Sequence, residues 1–98
     1  MGWTITIEDE NGNVQKTMPE EFNLSSIDLL SQNSFKLLKY IDPYGNTTFN
    51  AYMLEDLIED LVSLSQILPV DRNRILEVIE YAKECGSNVH TYLKFYGD

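Results

Sequence analysis

The sequence predicts an α+β domain: one mostly antiparallel sheet of about five strands, with two C-terminal antiparallel helices across one face. Three observations lead there. Apolar residues alternate with polar ones near both ends of the chain, at Trp3, Ile5 and Ile7 and again at Val89, Thr91, Leu93 and Phe95, the period of a half-buried strand. Between residues 50 and 86 the period becomes that of an amphipathic helix, twice over. Turn residues punctuate the chain at Asn11, Gly12, Pro19, Pro43, Gly45, Pro69 and Gly86. With 98 residues, 43% of them hydrophobic, the chain suits a single domain, residues 1–98, that buries roughly two-thirds of its unfolded surface.

Each element has its own signal. Residues 3–8 form the first strand, rich in β-formers. Asn11-Gly12 suits a tight type I′ hairpin, because both central residues tolerate positive φ. Residues 14–18 return as a second strand, which Pro19 stops. Residues 24–30 read either as a short helix capped by Ser25 or Ser26 or as an ordered loop. Residues 35–41, apolar on both faces but for Lys36 and Lys39, read as a central strand. Asp42, Pro43, Tyr44 and Gly45 have turn chemistry, and residues 47–49 return as a short strand.

From Asn50, the expected cap, Leu54, Leu57, Ile58, Leu61, Leu64 and Leu68 fall on one helical face. Asp71 is the expected cap of the next helix, whose buried stripe is Ile75, Val78, Ile79 and Ala82, with Gly86 as its stop. The short connection makes the helices an antiparallel pair. A closing strand follows from Val89, carrying His90, Tyr92, Lys94 and Tyr96 on its second face, and compactness favours its pairing beside residues 35–41.

Sixteen acidic residues against seven basic leave a net charge of −9. Such a chain repels phosphate backbones, which argues against nucleic-acid binding, and attracts basic partners. The apolar runs are far too short for a membrane span, and the N-terminus lacks the basic start and apolar core of a signal peptide. The lone cysteine, Cys85, allows no intramolecular disulfide and suits a reducing cytoplasm; near a helix end it reads as a buried thiol.

Two groups of residues are candidates for function. Glu55, Asp56, Glu59 and Asp60 form like-charged i, i+4 pairs, either a solvated face or an anionic patch for a basic partner. The second group joins the turn residues Asp42 and Tyr44, with Thr47 and Asn50, to His90 and Tyr92 on a neighbouring strand, as a shallow polar-aromatic surface. A general-base role for His90 needs a partner and a pocket that the sequence does not name. Ser25, Ser26 and Ser34 lack nucleophile-elbow glycines, and Arg72 and Arg74 carry no phosphate motif. No catalytic residue, cofactor or metal ligand set is expected.

The segment Tyr40-Ile41-Asp42-Pro43-Tyr44-Gly45-Asn46-Thr47-Thr48-Phe49-Asn50 and the ending His90-Thr91-Tyr92-Leu93-Lys94-Phe95-Tyr96-Gly97-Asp98 resemble a group of small uncharacterised bacterial proteins. That group shares the turn, two helices and the ending, over roughly residues 35–98. The resemblance implies a bacterial cytoplasmic setting and no particular activity. Taken together, the residues predict a non-enzymatic protein-binding domain of immunity or inhibitor type for a basic partner. The alternative is a small-molecule or regulatory module using the 42–50 turn and the closing strand.

Overall fold

The computed structural model describes residues 2–25, 35–42, 44–88 and 90–97. Strands β1 (Trp3–Asp9), β2 (Val14–Thr17), β3 (Asn46–Phe49) and β4 (Thr91–Gly97) form one antiparallel sheet in the order β2-β1-β4-β3. Helices α1 (Leu54–Ile67) and α2 (Arg72–Gly86) lie between β3 and β4 in sequence, so the last element is a strand. The first and last strands therefore meet in the middle of the sheet. Trp3 pairs with Gly97 and Asp9 with Thr91.

The alternation read from the sequence holds. Trp3, Ile5, Ile7, Phe49, Leu93 and Phe95 turn to one side, where Leu54, Leu57, Leu61, Leu64, Ile75, Val78, Ile79 and Ala82 cover them in a single buried cluster. Each such leucine, isoleucine, valine or phenylalanine contributes about 1.5–3 kcal/mol by leaving water. Edge-to-face rings order the centre, with Phe95 5.6 Å from Phe49 and 6.2 Å from Phe22. Phe22 reaches the core because residues 18–22 run on along β1: Met18 N donates to Ile5 O at 2.9 Å, and Trp3 and Phe22 exchange backbone hydrogen bonds of 3.0 and 2.8 Å.

Residues 35–41 are not a strand, and among the described residues the sheet has four strands rather than five. Leu38–Tyr40 is a 3₁₀ turn, and Phe35, Leu38 and Ile41 are buried, the three-residue spacing of that helix. The cause is Asp60. Its carboxylate accepts the backbone N–H groups of Lys36 (3.1 Å), Leu37 (2.7 Å) and Leu38 (3.1 Å), which point the same way only when the chain is coiled. The closing strand consequently pairs with β1 and β3, not with residues 35–41.

Smaller corrections follow the same logic. Gly12 has φ of +83° and no other described residue has positive φ, so the hairpin is not type I′, which needs two. Gly12 N donates to Asp9 O and Asp9 N to Asn13 O; the longer loop carries its left-handed residue at glycine. Asp9 Oδ1 accepts from the N–H groups of both Asn11 and Asn13. Asn50 caps the turn before α1, its side chain accepting from Met53 N at 3.1 Å. Asp71 stands at the start of α2 without capping it, because its carboxylate accepts from Ser25 N and Oγ at 2.9 and 2.7 Å. Gly86 is the last residue of α2 and lacks the left-handed φ of a glycine stop. The short-helix reading over 24–30 lies, beyond Ser25, outside the described residues, as do Pro43 and Val89.

Candidate functional site

Alternation that sends β1 and β4 into the core sends their other side chains to the far face of the sheet. Thr4, Thr6 and Glu8 of β1 stand there beside Tyr96, Lys94 and Tyr92 of β4, and Asn46 and Thr48 of β3 flank them. Among the described residues this face carries no helix, as antiparallel sheets allow. It nevertheless contains a carboxylate that is only 3% exposed, Glu8.

Glu8 is buried by its neighbours' side chains. Thr6 Oγ1 donates to its Oε2 at 2.7 Å, the Tyr96 hydroxyl donates to the same oxygen, and the Lys94 ammonium lies 3.3 Å from Oε1. Burial works to raise the Glu8 pKa, but the hydrogen bonds from Tyr96, Thr6 and Lys94 outweigh it and hold the carboxyl below its ordinary 4.5. Hydrogen bonding and charge from Glu8 lift the Lys94 ammonium above its usual 10.5. Burial, then Glu8, lifts the Tyr96 phenol above 10.0. At neutral pH the cluster is one carboxylate and three donors.

Beside this cluster, at the hairpin end of the face, lies a groove of about 440 Å³ lined by residues 9–12 with Thr48, Tyr92 and Lys94. Asp9, held below its ordinary 3.8 chiefly by the Asn13 N–H, keeps its carboxylate on the turn. Glu10 is exposed and sits 3.4 Å from His90 Nδ1. Asp9 and Glu10 line the groove together with Lys94, whose ion-pair partner among the described residues is Glu8.

The residues singled out from the sequence fare unequally. Tyr92 lines the groove, and His90, in the turn before β4 rather than within the strand, reaches it only through Glu10. Asp42 and Tyr44 do not join them. Gly45 O accepts from Gly97 N at 2.8 Å, which ties the turn to the opposite end of β4, about 23 Å from His90 at 3.3 Å per residue. The turn's polar groups serve the turn: Asp42 Oδ1 accepts from Tyr44 N (2.8 Å) and Asp42 N donates to Thr47 Oγ1 (3.1 Å). Tyr44 itself is exposed. The expected polar-aromatic surface joining the two segments does not form; only Thr48 of the turn's return strand reaches the groove.

The acidic quartet divides three ways. Asp60 is 5% exposed and organises residues 36–38, so it leaves the set of docking charges. Asp56 and Glu59 face Lys36 at 3.3 and 3.7 Å, and Lys36 is raised above 10.5, first by the Asp56 hydrogen bond. Glu55 alone faces α2. Cys85 is buried against Thr91, and burial raises its thiol above 9.0, the environment of an unreactive cysteine.

Glu8, Thr6, Lys94 and Tyr96 were not singled out from the sequence. Their phase was visible, since they alternate with core residues. What brings them together is the pairing of the first strand with the last. Compared with protein-family models, curated proteins and solved structures, the chain matches none.

Proposed function

We propose that the chain is a non-catalytic protein-binding domain of inhibitor or immunity type, and that its partner is a basic protein docking on the open face of the sheet. The observation that supports this most is the groove, where Tyr92 and Thr48 stand beside Asp9 and Glu10 on a face that carries no helix among the described residues. Tyrosine couples apolar area to a polar tip and is favoured in interfaces. An arginine or lysine of the partner would lie along the Tyr92 ring with its charge toward Glu10. The net charge of −9 would speed the encounter. A bacterial cytoplasmic setting, with Cys85 reduced, belongs to the same reading.

Two measurements test it. Affinity capture from the source cell uses wild-type bait beside Tyr92→Ala and Glu10→Gln baits, and chemical-shift mapping uses an arginine-rich peptide. The expected outcome is a basic protein depleted by both substitutions, with shifts at Glu10, Thr48, His90 and Tyr92. Capture indifferent to both, with shifts confined to the helices, overturns the reading. A second reading, a small-molecule module, is favoured by Thr48 and Tyr92 lining one groove of ligand size; a ligand-library screen that shifts these residues without any protein partner would select it.

A further inference from the structure

The hairpin tip that lines the groove holds a reactive pair of residues. Asn11-Gly12 is the one place in the chain where glycine follows asparagine. Asparagine is among the thermolabile residues, because the next backbone nitrogen can attack its carboxamide carbon. Glycine, with no Cβ, obstructs that approach least. Asn11 and Gly12 are both exposed, and among the described residues nothing lies within 4 Å of where a Cβ on Gly12 would stand.

Its surroundings separate Asn11 from other asparagines. Asn13 donates its side-chain amide to Asp9 Oδ2 at 3.2 Å, and the side chains of Asn50 and Asn88 accept backbone N–H groups at 3.1 and 2.9 Å. The residues that follow these three are Val14, Ala51 and Val89, each bearing a Cβ. The Asn11 side chain makes no hydrogen bond among the described residues, so its carboxamide can swing toward Gly12 N. The restraint lies in the backbone. Gly12 N donates to Asp9 O at 3.0 Å, and Asp9 Oδ1 accepts from Asn11 N and Asn13 N at 2.9 Å each. While the Gly12–Asp9 bond stands, the nitrogen is not a nucleophile. A hairpin tip opens locally at far lower cost than the whole domain unfolds.

We propose that Asn11 is a site of slow, spontaneous deamidation that adds charge to the groove, restrained by the Gly12–Asp9 hydrogen bond. In the opened tip Gly12 N gives its proton to hydroxide and attacks Asn11 Cγ. The N–Cγ bond forms, the Cγ–Nδ2 bond breaks, and the nitrogen leaves as ammonia with a proton from water. Water then opens the resulting succinimide at either carbonyl, giving aspartate or isoaspartate at this position. No oxidant or reductant enters. Either product sets another carboxylate beside Asp9 and Glu10 in the groove lining, which strengthens the field that draws a cation. The reaction needs no partner, and it holds whether or not the groove docks a protein.

Incubation of the full chain at neutral and mildly alkaline pH, followed by peptide mass spectrometry, tests it. The peptide containing Asn11 should gain the mass difference between a hydroxyl and an amino group. It should do so faster as pH rises, and several times faster again in guanidinium chloride, where the Gly12–Asp9 bond is gone. Asn11→Gln should leave that peptide unchanged over the same period, with circular dichroism showing the native fold. In NMR spectra the product should shift the amide signals of Thr48 and Tyr92, which share the groove with Asn11, and Asn11→Asp should reproduce part of that shift. A native chain that stays unmodified overturns the proposal, as does modification led by another asparagine. Equal rates with and without guanidinium chloride, or Thr48 and Tyr92 signals that stay in place, overturn it too.

Discussion

Two carboxylates are buried among the described residues, and their surroundings are opposites. Asp60, on α1, accepts three backbone N–H groups from a neighbouring segment. Glu8, on the open face of the sheet, accepts from three side chains, Thr6, Tyr96 and Lys94. Backbone donors cannot be turned to water without uncoiling the chain, so Asp60 determines the path of residues 36–38. Side-chain donors can swing out to solvent, so Glu8 tunes a surface. One carboxylate builds the fold and the other conditions a face of it.

The sharpest way to break this contrast is Asp60→Ala. Three N–H groups would lose a charged acceptor in a poorly hydrated place, a loss of about 3–5 kcal/mol, read as a fall in urea midpoint and melting temperature. Residues 36–38 should also lose amide protection first. An unchanged midpoint would mean that the 3₁₀ turn forms without its acceptor, and the contrast would fail.

Glu8→Gln should cost less, about 1–3 kcal/mol, since Lys94 and Tyr96 can find water. Circular dichroism should retain the native spectrum, because the strands pair without it. A loss as large as that of Asp60→Ala would make Glu8 a fold determinant too.

The pH dependence separates the two faces of the same network. A group whose folded pKa lies below its unfolded value stabilises the fold above the unfolded pKa, and that contribution is lost as pH falls through the folded one. Glu8, lowered from 4.5, and Asp9, lowered from 3.8, both act in this sense, so stability should decline as pH drops below about 4.5. Glu8→Gln should flatten the upper part of that decline. Lys94, raised from 10.5, and Tyr96, raised from 10.0, act oppositely. Their contribution is complete below the unfolded values and disappears as pH climbs through the folded ones. Equilibrium unfolding across pH, wild type against Glu8→Gln, checks both limbs; parallel acid limbs would assign the effect elsewhere.

The smallest effect is expected from the acidic residues that remain exposed. Glu55→Gln, Asp56→Asn and Glu59→Gln together should leave stability within about 0.5 kcal/mol, because exposed pairs such as those with Lys36 contribute little. If thermal melts show the triple variant as unstable as Asp60→Ala, the division of the quartet is wrong.

Much of this was legible in the chain. The alternation at Trp3, Ile5, Ile7 and at Leu93, Phe95 locates two strands and their buried faces, and the leucine and isoleucine stripes locate both helices and the core cluster. Residues 35–41 were not legible, because their apolar spacing fits a strand as readily as a turn of 3₁₀ helix, and the deciding acceptor lies more than twenty positions away. Asp60 could not be told from Glu55, Asp56 and Glu59 for the same reason. Position on the helix says which side a residue occupies, and not what the rest of the chain lays against that side.

The sequence by itself determined which residues avoid water, and hence the class of fold, the layer of two helices and the acidic balance of the surface, since these rest on local periodicity and composition. Only the tertiary structure decided that the first strand lies against the last, that Glu8 gathers Tyr96 and Lys94, and that Tyr92 meets the hairpin rather than the Tyr44 turn. The physical reason is that strand pairing is made by backbone hydrogen bonds that every residue can form. Partner and register therefore depend on how the whole core closes, and a polar cluster assembled across strands has no trace along either one.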